Sequence, residues 1–415
     1  MSRKVINYFD QDQDQDQDHK IILVNFFQII DIMKKKLLIF HPALAPYLVD
    51  QFNFLSQLFD LEVVFIFDNI HDNQFDQGKL LSLLQFKYSF LLKGISYGKR
   101  VFRFGILKTI RKSDPDIIIS YEFSMITQYL IFLKRLAIIH QKIGITNDDS
   151  LEICNHVQTK IRCFAREISI NRLDYLIVTS REVSQFYIDR FKLSDHQLIV
   201  SPILQEPSRL RNNEEELESI ANGYLDSYSL KGKRVLLFVG RLVPEKALAK
   251  FLNIIYPVLL EQEYLVLIAV GDGIERPRIE ELIKEKKLHN KVFLPGRFEA
   301  QQLHAWYLCS SGFVLPSIYE PFGAVVDEAL IFGLKVLCSK YAGSSYLINK
   351  ENGIVFDPLS ERDVIHQLNE YLKIIDPVSM INMKDKPSLM PGHQQEFNKE
   401  WDKLNDKQFI PAEFV

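Results

Sequence analysis

The chain lacks the marks of several protein classes. It has only four cysteines, Cys154, Cys163, Cys309 and Cys338, and none stands in a C-x-x-C pair. A disulfide scaffold and a thiolate zinc site are thereby set aside, and the thiols read as reduced, as in a cytosolic protein. No apolar run reaches the roughly 18–20 residues that a spanning helix needs. The nearest candidate, Ile21 to Met33, carries Asn25, Gln28 and Asp31 and lacks the basic flank and cleavage site of a secretory signal. Neither sign of charge dominates: 50 Lys and Arg stand against 53 Asp and Glu. That leaves no global nucleic-acid signature. A dinucleotide fingerprint is also missing, because Arg276 occupies the third glycine position after Gly271-Asp272-Gly273.

What is present is an ordinary globular composition, 47% hydrophobic and 25% charged, over 415 residues. That length exceeds a single core and predicts two domains. Residues 11–18 repeat Gln-Asp and cannot bury a face. Met33-Lys-Lys-Lys-Leu-Leu-Ile-Phe40 reads as the true opening of a first strand. Residues 1–32 are therefore read as a mis-started or disordered extension, with a short extra helix over 19–32 as the alternative. Short apolar strands then alternate with helices: Leu37–His41, Leu61–Phe67, Asp116–Ser120, Tyr175–Ser180 and Gln197–Ser201. Helices are expected over Tyr47–Phe59, up to about Leu136, and over about Leu151–Asn171. The rhythm stops over 203–230, where Glu214-Glu-Glu-Leu-Glu218 is a charge run. It resumes with Val235–Val239, Tyr264–Val270, Lys291–Leu294, Gly312–Leu315, Lys335–Cys338 and Gly353–Phe356. Continuous apolar strands separated by helices imply parallel sheets covered on both faces. The expected division is a first α/β domain over 33–205, a linker over 206–230, a second over 231–375, and a tail over 376–415 that packs on the first. Two doubly wound halves would face each other across a cleft, with ligands beyond the carboxyl ends of the strands.

Four strand ends in the second half carry chemistry. In Val239-Gly240-Arg241-Leu-Val-Pro244-Glu-Lys246, Gly240 allows a tight turn and two cations stand at the loop mouth, able to neutralise a diphosphate. Two plain surface cations are the alternative. Gly271 and Gly273 permit close ligand approach, or simply a tight turn. Arg297, after Leu294-Pro-Gly296, could frame a base, or belong to an ordinary turn. The most informative stretch is Ser317-Ile-Tyr-Glu320-Pro-Phe322-Gly323-Ala324-Val-Val-Asp-Glu328. Here a buried strand passes into a helix whose free N–H groups suit a phosphate. Glu328 lies amid Val325, Val326, Ala329 and Leu330, where an unpaired carboxylate is costly, and ribose hydroxyls would satisfy it. A solvated helix face is the bland reading of the glutamate pair.

In this order these residues resemble the family 4 glycosyltransferases of the GT-B fold. Glu320 and Glu328 match the family's E-x7-E motif; Gly240, Arg241 and Lys246 match its Gly-Arg…Lys pattern. Ala342-Gly343-Ser344, Asn352-Gly353 and Phe356-Asp-Pro358 are also similar to it. The resemblance spans about 34–375 and is strongest over 235–358. It implies two Rossmann-like domains across a cleft and a metal-independent, retaining hexosyltransferase. The implied donor is a nucleoside-diphosphate sugar, the implied acceptor saccharide or lipid-linked, and no cofactor is required. It further implies that Glu328 binds the ribose and that Arg241 and Lys246 hold the diphosphate. Glu320 would lie near the donor sugar, and the Phe322-Gly323-Ala324 backbone would also touch the donor. A sugar-nucleotide epimerase of the same architecture and a non-catalytic sugar-nucleotide-binding protein remain as alternatives.

The chain departs from the family in places. Tyr346 stands where many relatives have a glutamate, and Pro42-Ala-Leu-Ala-Pro46 replaces a glycine-rich first loop. Where many relatives have a histidine at a first-domain strand end, this chain has Ile145-Thr-Asn147-Asp148-Asp149-Ser150. Asp148 or Asp149 is a candidate for a role near the sugar, against helix capping by Asp149 or Ser150. His41 is a further candidate, against a structural role. Finally, residues 87–112 hold eight Lys or Arg and no acid, interleaved with Tyr88, Phe90, Tyr97, Phe102 and Phe104. Contact with an anionic membrane surface is expected there, in a cytoplasmic protein peripheral to the inner face of the cell membrane. A helix with a solvated basic face is the alternative, and nucleic acid is not an expected partner.

Overall fold

A computed structural model of the chain describes residues 34–69, 75–97, 100–149, 151, 154, 160–392 and 394–405. The N-terminal extension, Lys99 and the capping candidate Ser150 lie outside them. Two parallel sheets organise the rest. The first has the order β3-β2-β1-β6-β7-β8-β9 and the second β12-β11-β10-β13-β14-β15. In the first sheet β1 is Lys36–His41, β2 Asp60–Phe65, β3 Lys87–Phe90, β6 Ile117–Tyr121, β7 Lys142–Asn147, β8 Tyr175–Val178 and β9 Leu198–Val200. A separate antiparallel hairpin pairs β4, Gly94–Tyr97, with β5, Arg100–Arg103. In the second sheet β10 is Arg234–Val239, β11 Leu265–Val270, β12 Val292–Gly296, β13 Gly312–Leu315, β14 Lys335–Ser339 and β15 Gly353–Phe356.

The period of two along each strand sends alternate side chains to opposite faces, and both faces are covered. In β1, Leu38 and Phe40 join one buried cluster with Ile118 and Ile145, while Leu37 and Ile39 join the other with Val63 and Ile177. In the second domain Leu237 and Phe313 lie on one side, Leu236 and Val314 on the other.

The basic segment 87–112 is not one helix. It forms β3, the hairpin, and the helix Ile106–Ser113. Tyr88 and Phe90 suit a strand that pairs in parallel with β2, Tyr88 opposite Val63 and Phe90 opposite Phe65. The charge run at 214 opens a helix, Glu214–Ser227, whose acidic first turn suits the positive end of its dipole. Its Leu217, Ala221 and Leu225 enter the second domain's core. The chain returns to the first domain at its end. In the helix Gln394–Asp402, Phe397 and Trp401 are buried with Leu37 and Phe59, and Trp401 Nε1 donates to Ser201 Oγ at 2.9 Å. Arg211 ties the two crossings together by donating to the carbonyls of Ile331, Met383 and Lys386.

Candidate active site

The second-domain side of the site is made from loops that lock one another. The Gly240 N–H donates to the Val270 carbonyl at 3.0 Å, and that of Gly271 donates to Gly296 at 2.8 Å. A Cβ on Gly271 would overlap the Gly240 carbonyl, and one on Gly273 would overlap that of Leu242. These glycines, read above as making room for a ligand or a turn, make room for the neighbouring loop. The contact fixes the β10 loop over the β11 loop.

Lys246 ends a short 3-10 turn, Pro244–Lys246. The carbonyl of Glu245 accepts from the N–H groups of Ile318 and Tyr319 at 2.9 and 3.3 Å, which ties this loop to the one after β13. The tie sets Lys246 Nζ against Glu320 Oε2 in an ion pair whose side chains are only 15% and 10% exposed. The Ser317 hydroxyl lies 3.5 Å from the same carboxylate oxygen. Glu320 also bridges to Ala342, and Gly343 and Ser344 donate from their backbones to the carbonyls of Glu320 and Phe322. The Ala-Gly-Ser turn noted in the sequence thus straps the loop that carries Glu320. Arg241 is exposed and makes no ion pair among the described residues. Arg297, expected to frame a base, has other engagements. It pairs with Glu299 at 2.5 Å and lies 5.9 Å from the ring of Phe75, a first-domain residue.

The helix Ala324–Ile331 follows Gly323, which adopts φ 97° and offers no side-chain cap. A left-handed residue there costs least as glycine, and the uncapped start leaves its first N–H groups for another acceptor. Glu328 is not the unpaired carboxylate expected. Tyr307 donates its hydroxyl to Glu328 Oε2 at 2.7 Å. Burial holds the acid above its usual range, partly opposed by Tyr307 and by the charge of Arg209. The unpartnered carboxylate is its neighbour Asp327, fully buried with neither oxygen bonded. Burial, and then the charge of Glu328, push Asp327 well above the usual carboxylate range, which favours its neutral form. Sequence reading missed it because helical spacing alone did not say which carboxylate faces inward.

Across the cleft, Asp148 and Asp149 part company. Asp149 is buried in an ion pair with Arg166 at 2.9 Å, and Asp148 lies just past the end of β7, within charge reach of Tyr121, which ends β6. Burial raises Asp148 to about 7, the charges of Glu122 and Asp149 add to this, and Tyr121 opposes it. Tyr47, just before the helix Leu48–Leu58, has its phenol raised by burial and then by the charges of Asp148 and Glu320. It therefore lies within charge reach of both acids, and no sequence signal had singled it out. His41 lies edge-on to Phe52 and Tyr121 at 5.5 Å, with Nδ1 3.1 Å from the Ala43 carbonyl oxygen. Burial lowers it to about 4, so it is neutral and packed.

Comparison with known proteins bears on the fold and on the second domain. Residues 226–382 match the family described as glycosyl transferases group 1. An uncharacterised glycosyltransferase of Methanocaldococcus jannaschii, MJ1607, is 34% identical over 123 residues, 29% of this chain. That match covers 31% of the relative, so the chain spans about a third of its length. Among solved structures, a glycosyltransferase from Rickettsia africae superposes with TM-score 0.64 at 16% identity, over 90% of this chain and 99% of that one. Anabaena HepE in complex with UDP and glucose superposes with TM-score 0.61 at 15% identity, over 89% and 96% of the two chains. The architecture is the GT-B fold, and its second domain carries the match to the group 1 glycosyl transferases.

Proposed function

We propose that this chain is a retaining glycosyltransferase that moves a hexose from a nucleoside-diphosphate sugar to a saccharide or lipid-linked acceptor, in surface polysaccharide or glycolipid synthesis. The observation that carries the reading is the Lys246–Glu320 pair, which ties the β10 loop to the loop before an uncapped helix start. The group 1 family match over the same loops and the UDP and glucose bound by HepE support the choice of donor.

Cleavage of the bond between the anomeric carbon and the diphosphate oxygen leaves an electron pair, and negative charge, on the diphosphate. Arg241, Lys246 and the N–H groups at 323–325 neutralise that charge without an essential metal. Glu320 steadies the positive charge that grows on the sugar, Glu328 takes the ribose hydroxyls, and Asp148 contacts the sugar from the first domain. The acceptor hydroxyl attacks the face the diphosphate leaves and passes its proton to it. Closure of the cleft limits transfer to water. The basic segment 87–112 serves membrane contact in this reading, with the protein peripheral on the cytoplasmic face.

The test is a thermal-shift screen with nucleoside diphosphates and their sugars, followed by transfer assays with the stabilising donor. Lys246→Ala and Glu328→Ala are expected to lose most donor binding or turnover. Wild-type transfer rates in both variants would refute the assignment.

A further inference from the structure

A pocket of about 390 Å³ opens in the second domain beside the starts of two helices, Leu248–Glu261 and Arg276–Glu285. Small-molecule sites run from roughly 300 to 1,000 Å³. Ala247, Lys250 and Asn253 line it from the first helix, Glu275, Arg278 and Leu282 from the second. Each set recurs every three or four residues, so it lies on one side of its helix. None of the lining residues is among those placed at the donor, but three belong to the loops that position them. Pro244 and Ala247 bracket the turn that carries Lys246. Ile318 donates its N–H to the Glu245 carbonyl, in the tie that sets Lys246 against Glu320. Ala247, between turn and helix, is held at φ 53°, a left-handed conformation that is strained in a residue with a Cβ.

Charge selects the ligand. A helix start carries roughly half a positive charge and is stabilised by acids. Here neither start is capped by a side chain and neither helix has an acid in its first turn. Each has a cation at its third position instead, Lys250 in one and Arg278 in the other. Lys250 is exposed and makes no ion pair among the described residues. Two dipole ends and two cations around one pocket repel one another until an anion enters. Glu275 then decides which anion fits. It is 9% exposed, its Oε1 lies 3.6 Å from Arg278, and its Oε2 is buried with no hydrogen-bond partner. A carboxylate oxygen accepts hydrogen bonds, so the ligand must bring a donor next to its anionic group. Bare phosphate would meet the cations and be repelled by the acid. A phosphate monoester of a sugar meets the cations with its phosphate and Glu275 with a hydroxyl.

We infer that the pocket between Lys250, Arg278 and Glu275 is a second ligand site, that it takes a sugar phosphate, and that its occupancy firms the loop carrying Lys246. A ligand seated against Ala247 and Ile318 holds together the two loops whose tie places Lys246 on Glu320, and so favours the diphosphate-binding arrangement. By linkage the diphosphate favours the sugar phosphate to the same degree. The coupling rests on the transferase reading of Lys246, whereas the site itself does not.

The test is titration calorimetry of the full chain with glucose 6-phosphate, inorganic phosphate and glucose. It compares wild type with Lys250→Gln, Arg278→Gln, Glu275→Gln and Lys246→Ala. Lys250 and Arg278 are exposed, so their variants should melt with the wild type. Wild type is expected to bind glucose 6-phosphate more tightly than inorganic phosphate, and glucose least. Lys250→Gln and Arg278→Gln should each lose about tenfold or more. Glu275→Gln should narrow the preference for the ester over inorganic phosphate, and Lys246→Ala should leave probe binding intact. With the probe present, UDP or GDP, whichever stabilises the chain, should bind about fivefold tighter or more. Absence of glucose 6-phosphate binding in wild type, or undiminished binding in both the Lys250 and Arg278 variants, overturns the inference. So does displacement of the probe by the nucleoside diphosphate, or its loss in Lys246→Ala, since either result puts the probe at the donor site. Unchanged nucleoside-diphosphate affinity overturns the coupling and leaves the site. Probe binding as expected, with no nucleoside diphosphate bound at all, would leave the site standing and sink the transferase reading.

Discussion

Removing Lys246 while leaving Glu320 is the sharpest perturbation of this site. The two side chains are 15% and 10% exposed, and the other polar contact to the carboxylate is a Ser317 hydroxyl 3.5 Å away. A buried pair gains little over an apolar replacement, but breaking it from one side strands a charge, at about 3–5 kcal/mol. Lys246→Met should therefore cost about 3 kcal/mol, which for a domain of this size lowers the melting temperature by roughly 10 °C. Adding Glu320→Gln removes the stranded charge, so the double variant should recover about 1–3 kcal/mol of that loss as coupling energy. Urea denaturation of the wild type, both single variants and the double variant gives the cycle. Additive effects, or a Lys246→Met cost below about 1 kcal/mol, would refute the claim that the pair is buried and mutually dependent. The functional counterpart runs the other way. The double variant should regain stability and still fail to be stabilised by nucleoside diphosphate, because its cation is gone.

Three further outcomes follow from the structure. Asp148 is raised to about 7 in the fold from an ordinary value of 3.8. Between these values the unfolded chain is ionised there and the folded chain is not. Asp148 thus lowers stability as pH rises from about 4 to 7, with no further change above. Asp148→Asn should gain stability over wild type across that window, by at most about 4 kcal/mol, as read from denaturation midpoints at pH 4 and 8. An equal difference at both pH values would contradict an acid held protonated in the fold. In the loops, Gly271→Ala places a Cβ on the Gly240 carbonyl and should cost about 2 kcal/mol or more. Gly223→Ala, in open space inside the Glu214–Ser227 helix, should stabilise by about 0.5–1 kcal/mol; thermal melts of the pair decide.

Much of the frame was legible in the residues. Continuous apolar strands such as Ile117–Ser120 and Val235–Val239 suit a parallel sheet covered on both faces, and their spacing announced two such sheets. Glycine before a helix start, with glutamates on either side, announced a site beyond β13. What could not be read locally was direction and partnership. The chain order does not say that Tyr307 donates to Glu328, that Asp327 rather than Glu328 is unpartnered, or that Gly271 packs against the Gly240 carbonyl of a neighbouring loop. The basic stretch at 87–112 resisted for a related reason, since a strand at a sheet edge and a hairpin are defined by what they pair with. The sequence by itself determined two α/β domains, the strand ends that carry polar chemistry, and a charge pattern without acids over 87–112, because these depend on local periodicity and residue type. Only the tertiary structure decided that Lys246 meets Glu320, that Tyr47 comes within charge reach of both Asp148 and Glu320, and that Asp327 is buried without a hydrogen bond. Each of these depends on which distant segments the sheets bring within reach, and that is set by packing across the whole chain.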